Sequence, residues 1–125
     1  MRESLGPLAR TVEFACADVT DEAAVAGVFG QIPSPDLVFN NAGVLHYGPL
    51  LETGAAEVRR VLEVNVVGVH NVLRAAAARM KEAGGGHILN LASVAAHQGM
   101  LNLAAYAASK HAVLGLGRSA RFELA

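Results

Sequence analysis

Residues 37–43 read LVFNNAG, three apolar side chains running into two asparagines, an alanine and a glycine. An apolar run this short, bounded by a polar turn, fits a buried strand rather than a helix, which needs roughly ten residues or more. The same pattern returns at residues 87–93, HILNLAS, and over Val12 to Val19, VEFACADV. Strands are therefore expected at Val12 to Val19, Leu37 to Asn40 and His87 to Ala92. Their far ends carry Asp18, the turn Asn40-Asn41-Ala42-Gly43, and Ser93.

Helical patterns fill the intervals. Residues 21–30 are Ala-rich, with Thr20 or Asp21 placed to cap and Pro33-Ser34-Pro35 to interrupt. From Ala55 to Ala83 the apolar residues Val58, Val61, Leu62, Val66, Val69, Val72, Leu73, Ala76 and Met80 recur at helical spacing. Thr53 is the expected N-cap, and the run Gly84-Gly85-Gly86 the expected stop. A last helix is expected over about Leu103 to Leu124. Strands alternating with helices predict parallel crossovers in a single α/β domain spanning residues 1–125. Strands apolar throughout predict a sheet covered by helices on both faces, and in such sheets ligands gather beyond the carboxyl ends of the strands. One shared site explains polar residues at all three strand ends better than three unrelated loops. Residues 1–10, with Gly6-Pro7 and no sustained period, read as the tail of something rather than the start of a fold.

Composition narrows the partners. The formal net charge of −1, with basic residues scattered, offers no electrostatic footprint for nucleic acid or an anionic membrane. A hydrophobic fraction of 53% excludes a disordered chain. Cys16 is the only cysteine, which fits a reducing compartment, and its apolar neighbours predict a buried, inert thiol. MRESLGPLAR lacks the apolar stretch of a secretory signal, and no apolar run reaches the roughly 18 residues a spanning helix needs. The expectation is a cytoplasmic protein acting on a small molecule.

Chemistry concentrates in Ser93 to Lys110, SVAAHQGMLNLAAYAASK. On a helix, Tyr106 and Lys110 stand one turn apart on the same face, so the ammonium can reach toward the phenol. A nearby cation favours the phenolate, which makes the pair a tuned acid/base; a tyrosine packing its ring beside a solvated lysine is the bland alternative. Asn65, between Val64 and Val66, is a poor helix former whose buried amide demands partners, so a local distortion of the long helix is expected there. Gly115-Leu116-Gly117-Arg118-Ser119-Ala120 satisfies the dinucleotide pattern G-x-G-x-x-A by letter. It lies inside a helix, however, where its amides are committed to helical bonds, so close helix packing is its expected role. The five histidines show no metal-ligand spacing. His46 and His97, with Ala95, Gln98 and Met100, follow the strand ends and could border a substrate pocket.

Asp18-Val19, Asn40-Asn41-Ala42-Gly43, Asn65 in Glu63-Val64-Asn65-Val66-Val67-Gly68, Ser93 in Asn90-Leu91-Ala92-Ser93, and Tyr106-Ala107-Ala108-Ser109-Lys110 stand in order and register. Together they resemble the short-chain dehydrogenase/reductase family, Rossmann-fold oxidoreductases that move hydride between NAD(P) and a carbinol or carbonyl. The resemblance implies that Tyr106 is the acid/base and that Lys110 assists it and binds the nicotinamide ribose. It further implies that Ser93 holds the substrate oxygen and that Asn65 helps hold a proton-relaying water. Asp18 and the backbone of Val19 would contact adenine, with Asn40, Ala42 and Gly43 on the adenine-ribose side, while Asn41 ties strands together. NAD and NADP are not distinguished. The implied partners are a small-molecule alcohol or ketone and, in the complete family fold, further copies of the chain.

The family's glycine-rich T-G-x-x-x-G-x-G turn is not found before Asp18, and the strands that follow the last helix are not found either. The expected architecture is thus a partial Rossmann-like three-layer sandwich with an incomplete sheet. It supplies strands 3, 4 and 5 of the order 3-2-1-4-5-6-7, and the 125 residues alone are expected neither to fold stably nor to turn over substrate. Two readings follow: a truncated oxidoreductase, or a noncatalytic fragment that pairs with a full-length relative through its long helices.

Overall fold

The computed structural model describes residues 11–124; the expectation for residues 1–10 lies outside the described residues. Strands β1 (Leu37–Asn40) and β2 (His87–Asn90) pair in parallel, with Leu37 opposite His87 and Asn40 opposite Asn90. Parallel neighbours cannot be joined by a hairpin. The connection between them is a long helical span: α2 (Ala55–Leu62), a π-helical stretch over Glu63–Gly68, and α3 (Val69–Ala83). Asn65 lies within that π-helical stretch, at the distortion its amide predicts. Gly84 ends α3 at φ 94°, a left-handed conformation in which a Cβ would be strained.

Helix α1 (Glu22–Gln31) starts where Asp21 accepts a bond from Ala24 N at 3.0 Å, so Asp21 rather than Thr20 is the cap. It packs against α3. At the start of α2 the N-cap is Gly54, not Thr53. The Thr53 hydroxyl donates to the carbonyl of Pro49 at 2.9 Å, and no side chain caps the helix amides. Helix α4 (Ala104–Leu124) follows β2 through a short 3-10 turn at Val94–Ala96 and packs on α2 and the π-helical stretch. The core formed between these helices holds Val61, Val69, Ala76, Ala105 and Val113, all buried.

Sheet coverage differs from expectation. Val38, Asn40, Ile88 and Asn90 share one face of the sheet, and through Asn40 and Asn90 that face meets α3 and α4. The opposite face is open, with Leu37, Phe39 and Leu89 at 46%, 63% and 47% exposure. The strand expected over Val12 to Val19 does not form either; this segment is irregular and turns at Val19-Thr20. A strand exists by its ladder, and among the described residues no neighbouring strand lies beside this one. For the same reason Cys16 is exposed rather than buried. The turn at Val19 is nevertheless seated: a Cβ added at Gly68 would stand 2.7 Å from Val19 Cγ2, so glycine lets this segment rest directly on the helix. Among the described residues no helix is long and apolar enough to cross a membrane.

Candidate active site

The helix distortion aims Asn65 at the loop leaving β1. Its side chain is fully buried, and both its oxygen and its nitrogen have partners. Oδ1 accepts from Val44 N at 2.7 Å, and Nδ2 donates to Val44 O at 2.9 Å. The carboxamide thus pairs with Val44 as a second backbone would in a sheet, fixing the segment just after Gly43. The remaining Nδ2 hydrogen goes to Ser109 Oγ at 3.0 Å, on α4. One side chain therefore ties three elements together. Such networks are stabilising only when every member is satisfied, as here.

Lys110 is the second fixed point. It is 5% exposed, and its ammonium donates to Leu91 O at 2.7 Å, just past the end of β2. Burying a cation costs several kcal/mol unless it is well partnered, so a lysine in this position calls for a reason. The ammonium sits 5.6 Å from the centroid of the Tyr106 ring, the approach that helical spacing anticipates. Among the described residues, nothing hydrogen-bonds the half-buried Tyr106 hydroxyl. Gly43 closes the group: a Cβ there would lie 3.3 Å from Asn65 Oδ1 and 3.8 Å from Lys110 Nζ. Asn65, Lys110 and the turn after β1 thus meet around a single glycine.

Ser93, half-buried after β2, uses its oxygen to cap the 3-10 turn, accepting from Ala95 N at 3.2 Å. Its own hydrogen remains available to a ligand oxygen. The loops after the two strands are also tied to each other. Asn102, at φ 60°, accepts from Gly48 N at 2.9 Å through its carbonyl, and its amide donates to Tyr47 Oη at 3.1 Å. His46 is engaged with Thr53 at 3.3 Å, whereas His97, Gln98 and Met100 lie exposed on the facing loop and Ala95 is buried.

On the other flank, Asp18 Oδ1 accepts from Thr20 N at 2.9 Å and from Thr20 Oγ at 2.8 Å. The amide bond first, then the hydroxyl, hold its carboxyl below the ordinary carboxylate value. Val19 O accepts from Asn71 Nδ2 at 3.0 Å, while nothing among the described residues bonds Val19 N–H. Ala42 and Gly43 are exposed. Asn40 behaves differently. It is 3% exposed, and its amide donates to Val69 O at 2.9 Å and to Asn90 Oδ1 at 3.0 Å. Tying the strands together, the part expected of Asn41, belongs to Asn40, and its side chain is committed to that. The close packing expected of the decoy motif is not seen at its glycines: a Cβ added at Gly117 would stand an ordinary 3.7 Å from Asn90 Nδ2, and nothing lies within 4 Å of one added at Gly115.

Sequence reasoning gave no part to Ser109, Val44 or Asn90. A serine within Tyr106-Ala107-Ala108-Ser109-Lys110 was the available signal, because a hydroxyl among alanines on a buried helix face needs partners.

A parallel α/β layer with polar side chains gathered beyond its strand ends defines a protein of Rossmann-like fold. A family model described as short chain dehydrogenase matches residues 1–125, and the chain belongs to that family. It is 38% identical over 117 residues to the L-2,3-butanediol dehydrogenase of Corynebacterium glutamicum, covering 90% of this chain and 45% of that protein. It is 36% identical over 121 residues to the 3-alpha-(or 20-beta)-hydroxysteroid dehydrogenase of Mycobacterium tuberculosis, covering 94% and 46%. Among solved structures, NAD+-bound xylitol dehydrogenase superposes with a TM-score of 0.88 at 34% identity, over 99% of this chain and 52% of that one. NADP-bound ElxO gives 0.93 at 28% identity, over 98% and 51%. The chain spans about half the length of these relatives.

Proposed function

We propose that this chain carries the acid/base and nicotinamide-facing part of an oxidoreductase acting on a small alcohol or ketone. The observation that carries the reading is Lys110, a buried ammonium facing the Tyr106 ring while the Tyr106 hydroxyl has no partner of its own. NAD(P), when bound, supplies or accepts the hydride. In the reducing direction the Tyr106 hydroxyl gives its proton to the carbonyl oxygen, so hydride and proton together complete the alcohol; in the oxidising direction Tyr106 takes that proton back. Ser93 holds the same oxygen with its unused hydrogen.

The residues present suit a dinucleotide. Lys110 has three donors, of which Leu91 O takes one, leaving two for ribose hydroxyls. Val19 N–H and the outer oxygen of Asp18 are available to adenine, and Ala42 and Gly43 offer an exposed turn on the way. Asn40 serves by holding this turn against β2. Asn65 acts in the same way, by clamping Val44, and its place in the mechanism is to position Lys110 and the turn. A water relay at Asn65 is read as running through its main chain, because Oδ1 and both Nδ2 hydrogens already have partners in the chain.

The test uses the protein expressed from the whole of its open reading frame, given NADH or NADPH and a panel of small ketones and aldehydes. Loss of reduced-nicotinamide absorbance with matching alcohol formation is expected. Absence of both turnover and nicotinamide binding across the panel refutes the reading.

A further inference from the structure

Ser109 is fully buried, one residue before Lys110 and three after Tyr106. Its hydroxyl donates to Tyr106 O at 2.7 Å, a back-bond within α4, and accepts from Asn65 Nδ2 at 3.0 Å, in the π-helical stretch. A serine hydroxyl has one hydrogen. With that hydrogen on the Tyr106 carbonyl, the rotor is fixed and a lone pair faces Asn65. The bond therefore runs one way only, from Asn65 to Ser109.

The neighbouring positions show that a hydroxyl is not needed for packing. Ala105 and Ala107 are buried on the same helix, and alanine is the better helix former. Ser109 thus carries a polar group into the core and returns it as a link between the turn bearing Tyr106 and Lys110 and the carboxamide that clamps Val44. From these contacts we infer that Ser109 is a positioning residue, which fixes the Asn65 carboxamide against Val44 and so sets the Tyr106–Lys110 turn relative to the loop after β1. Its catalytic consequence rests on the function proposed above; the tether itself does not.

Two readouts separate these. Hydrogen exchange at the Val44 amide reports its bond to Asn65 Oδ1 directly, and the Leu73 and Ala76 amides in α3 report general stability. In Ser109→Ala, Val44 exchange is expected to accelerate about five- to tenfold relative to Leu73 and Ala76, the ratio that weakening one hydrogen bond implies. Under the same change kcat is expected to fall about five- to tenfold with KM for nicotinamide unchanged. Should Ser109→Ala not fold, the exchange comparison is read on Ser109→Cys, whose thiol donates and accepts more weakly. Equal acceleration at all three amides, or an unchanged Val44 amide, overturns the tether. Intact kcat alongside selective loosening of Val44 overturns its catalytic consequence. An unmodified protein that turns over nothing refutes the proposed function, while the exchange result still decides the tether.

Discussion

Replacing Tyr106 by phenylalanine is expected to lower kcat by roughly a hundred- to ten-thousandfold, the span a positioned acid/base contributes, while changing stability by no more than about 0.5 kcal/mol. The two halves of this expectation come from different features of the residue. The ring is half-buried and faces Lys110, and phenylalanine keeps its volume and its aromatic face. The hydroxyl hydrogen-bonds nothing among the described residues, so removing it leaves no broken partner in the fold. A group that contributes nothing to folding yet everything to turnover is what the proposed chemistry requires. Thermal unfolding and steady-state kinetics on the same preparation check both halves, and an unchanged kcat would remove Tyr106 from the reaction.

Asn65→Leu is expected to damage the protein differently, by destabilising it about 2–5 kcal/mol and lowering turnover together. If Asn65 acted only by holding a proton-relaying water, as the resemblance implies, the change would harm turnover more than folding. The geometry argues otherwise. Leucine fills a comparable volume but leaves Val44 N–H and Val44 O without their partners, and Ser109 Oγ without its donor. Unpaired buried backbone groups cost about 1–3 kcal/mol each, and relaxation of the partly buried Val44 segment offsets some of that sum. Urea unfolding monitored by far-UV circular dichroism should show the midpoint falling sharply. A midpoint equal to that of the unmodified protein would mean that the Val44 clamp contributes nothing, and Asn65 would return to a purely catalytic part.

The elements that sequence predicts well are those whose signals are local. Leu37–Asn40 is apolar and short between Pro35 and the asparagine turn, and it forms a strand with those bounds. Gly84 stops α3 because only the next residue's backbone freedom matters there. Helix α4 forms over the span expected of it, Ala104–Leu124. Asn65 shows how a local misfit reveals a structural feature, since an asparagine with poor helix propensity inside a valine run does mark the π-helical stretch. Failures came where the deciding atom belongs to another segment. Val12 to Val19 has strand composition, but pairing needs a neighbour, so the run is irregular and Cys16 is exposed. Thr53 has the right chemistry for a cap, but the helix starts one residue later with Gly54 in the cap position, and the Thr53 hydroxyl bonds the Pro49 carbonyl. Asn40 and Asn41 are identical letters, and only the position of Asn90 and Val69 decides that Asn40 ties the sheet. Ser109 was present in the quoted motif and its partner Asn65 lies far back in the chain, so no spacing rule joins them.

The site itself was legible as a set but not as an arrangement. Tyr106 and Lys110 are one helical turn apart, and that turn brings the ammonium over the ring. Burial of Lys110 to 5% exposure was not foreseeable, because it depends on Leu91 O at the end of β2.

The central claim is that hydride passes between a nicotinamide ring and a carbonyl carbon with Tyr106 managing the proton. Its most direct test supplies the protein, expressed from its whole reading frame, with NADH or NADPH deuterated at the transferring face of the reactive ring carbon and with a ketone that it reduces. The account predicts deuterium bonded to the carbinol carbon of the alcohol, one label per turnover, with the hydroxyl proton drawn from solvent. Alcohol formed without deuterium at that carbon, or formed equally fast by Tyr106→Phe, would contradict it.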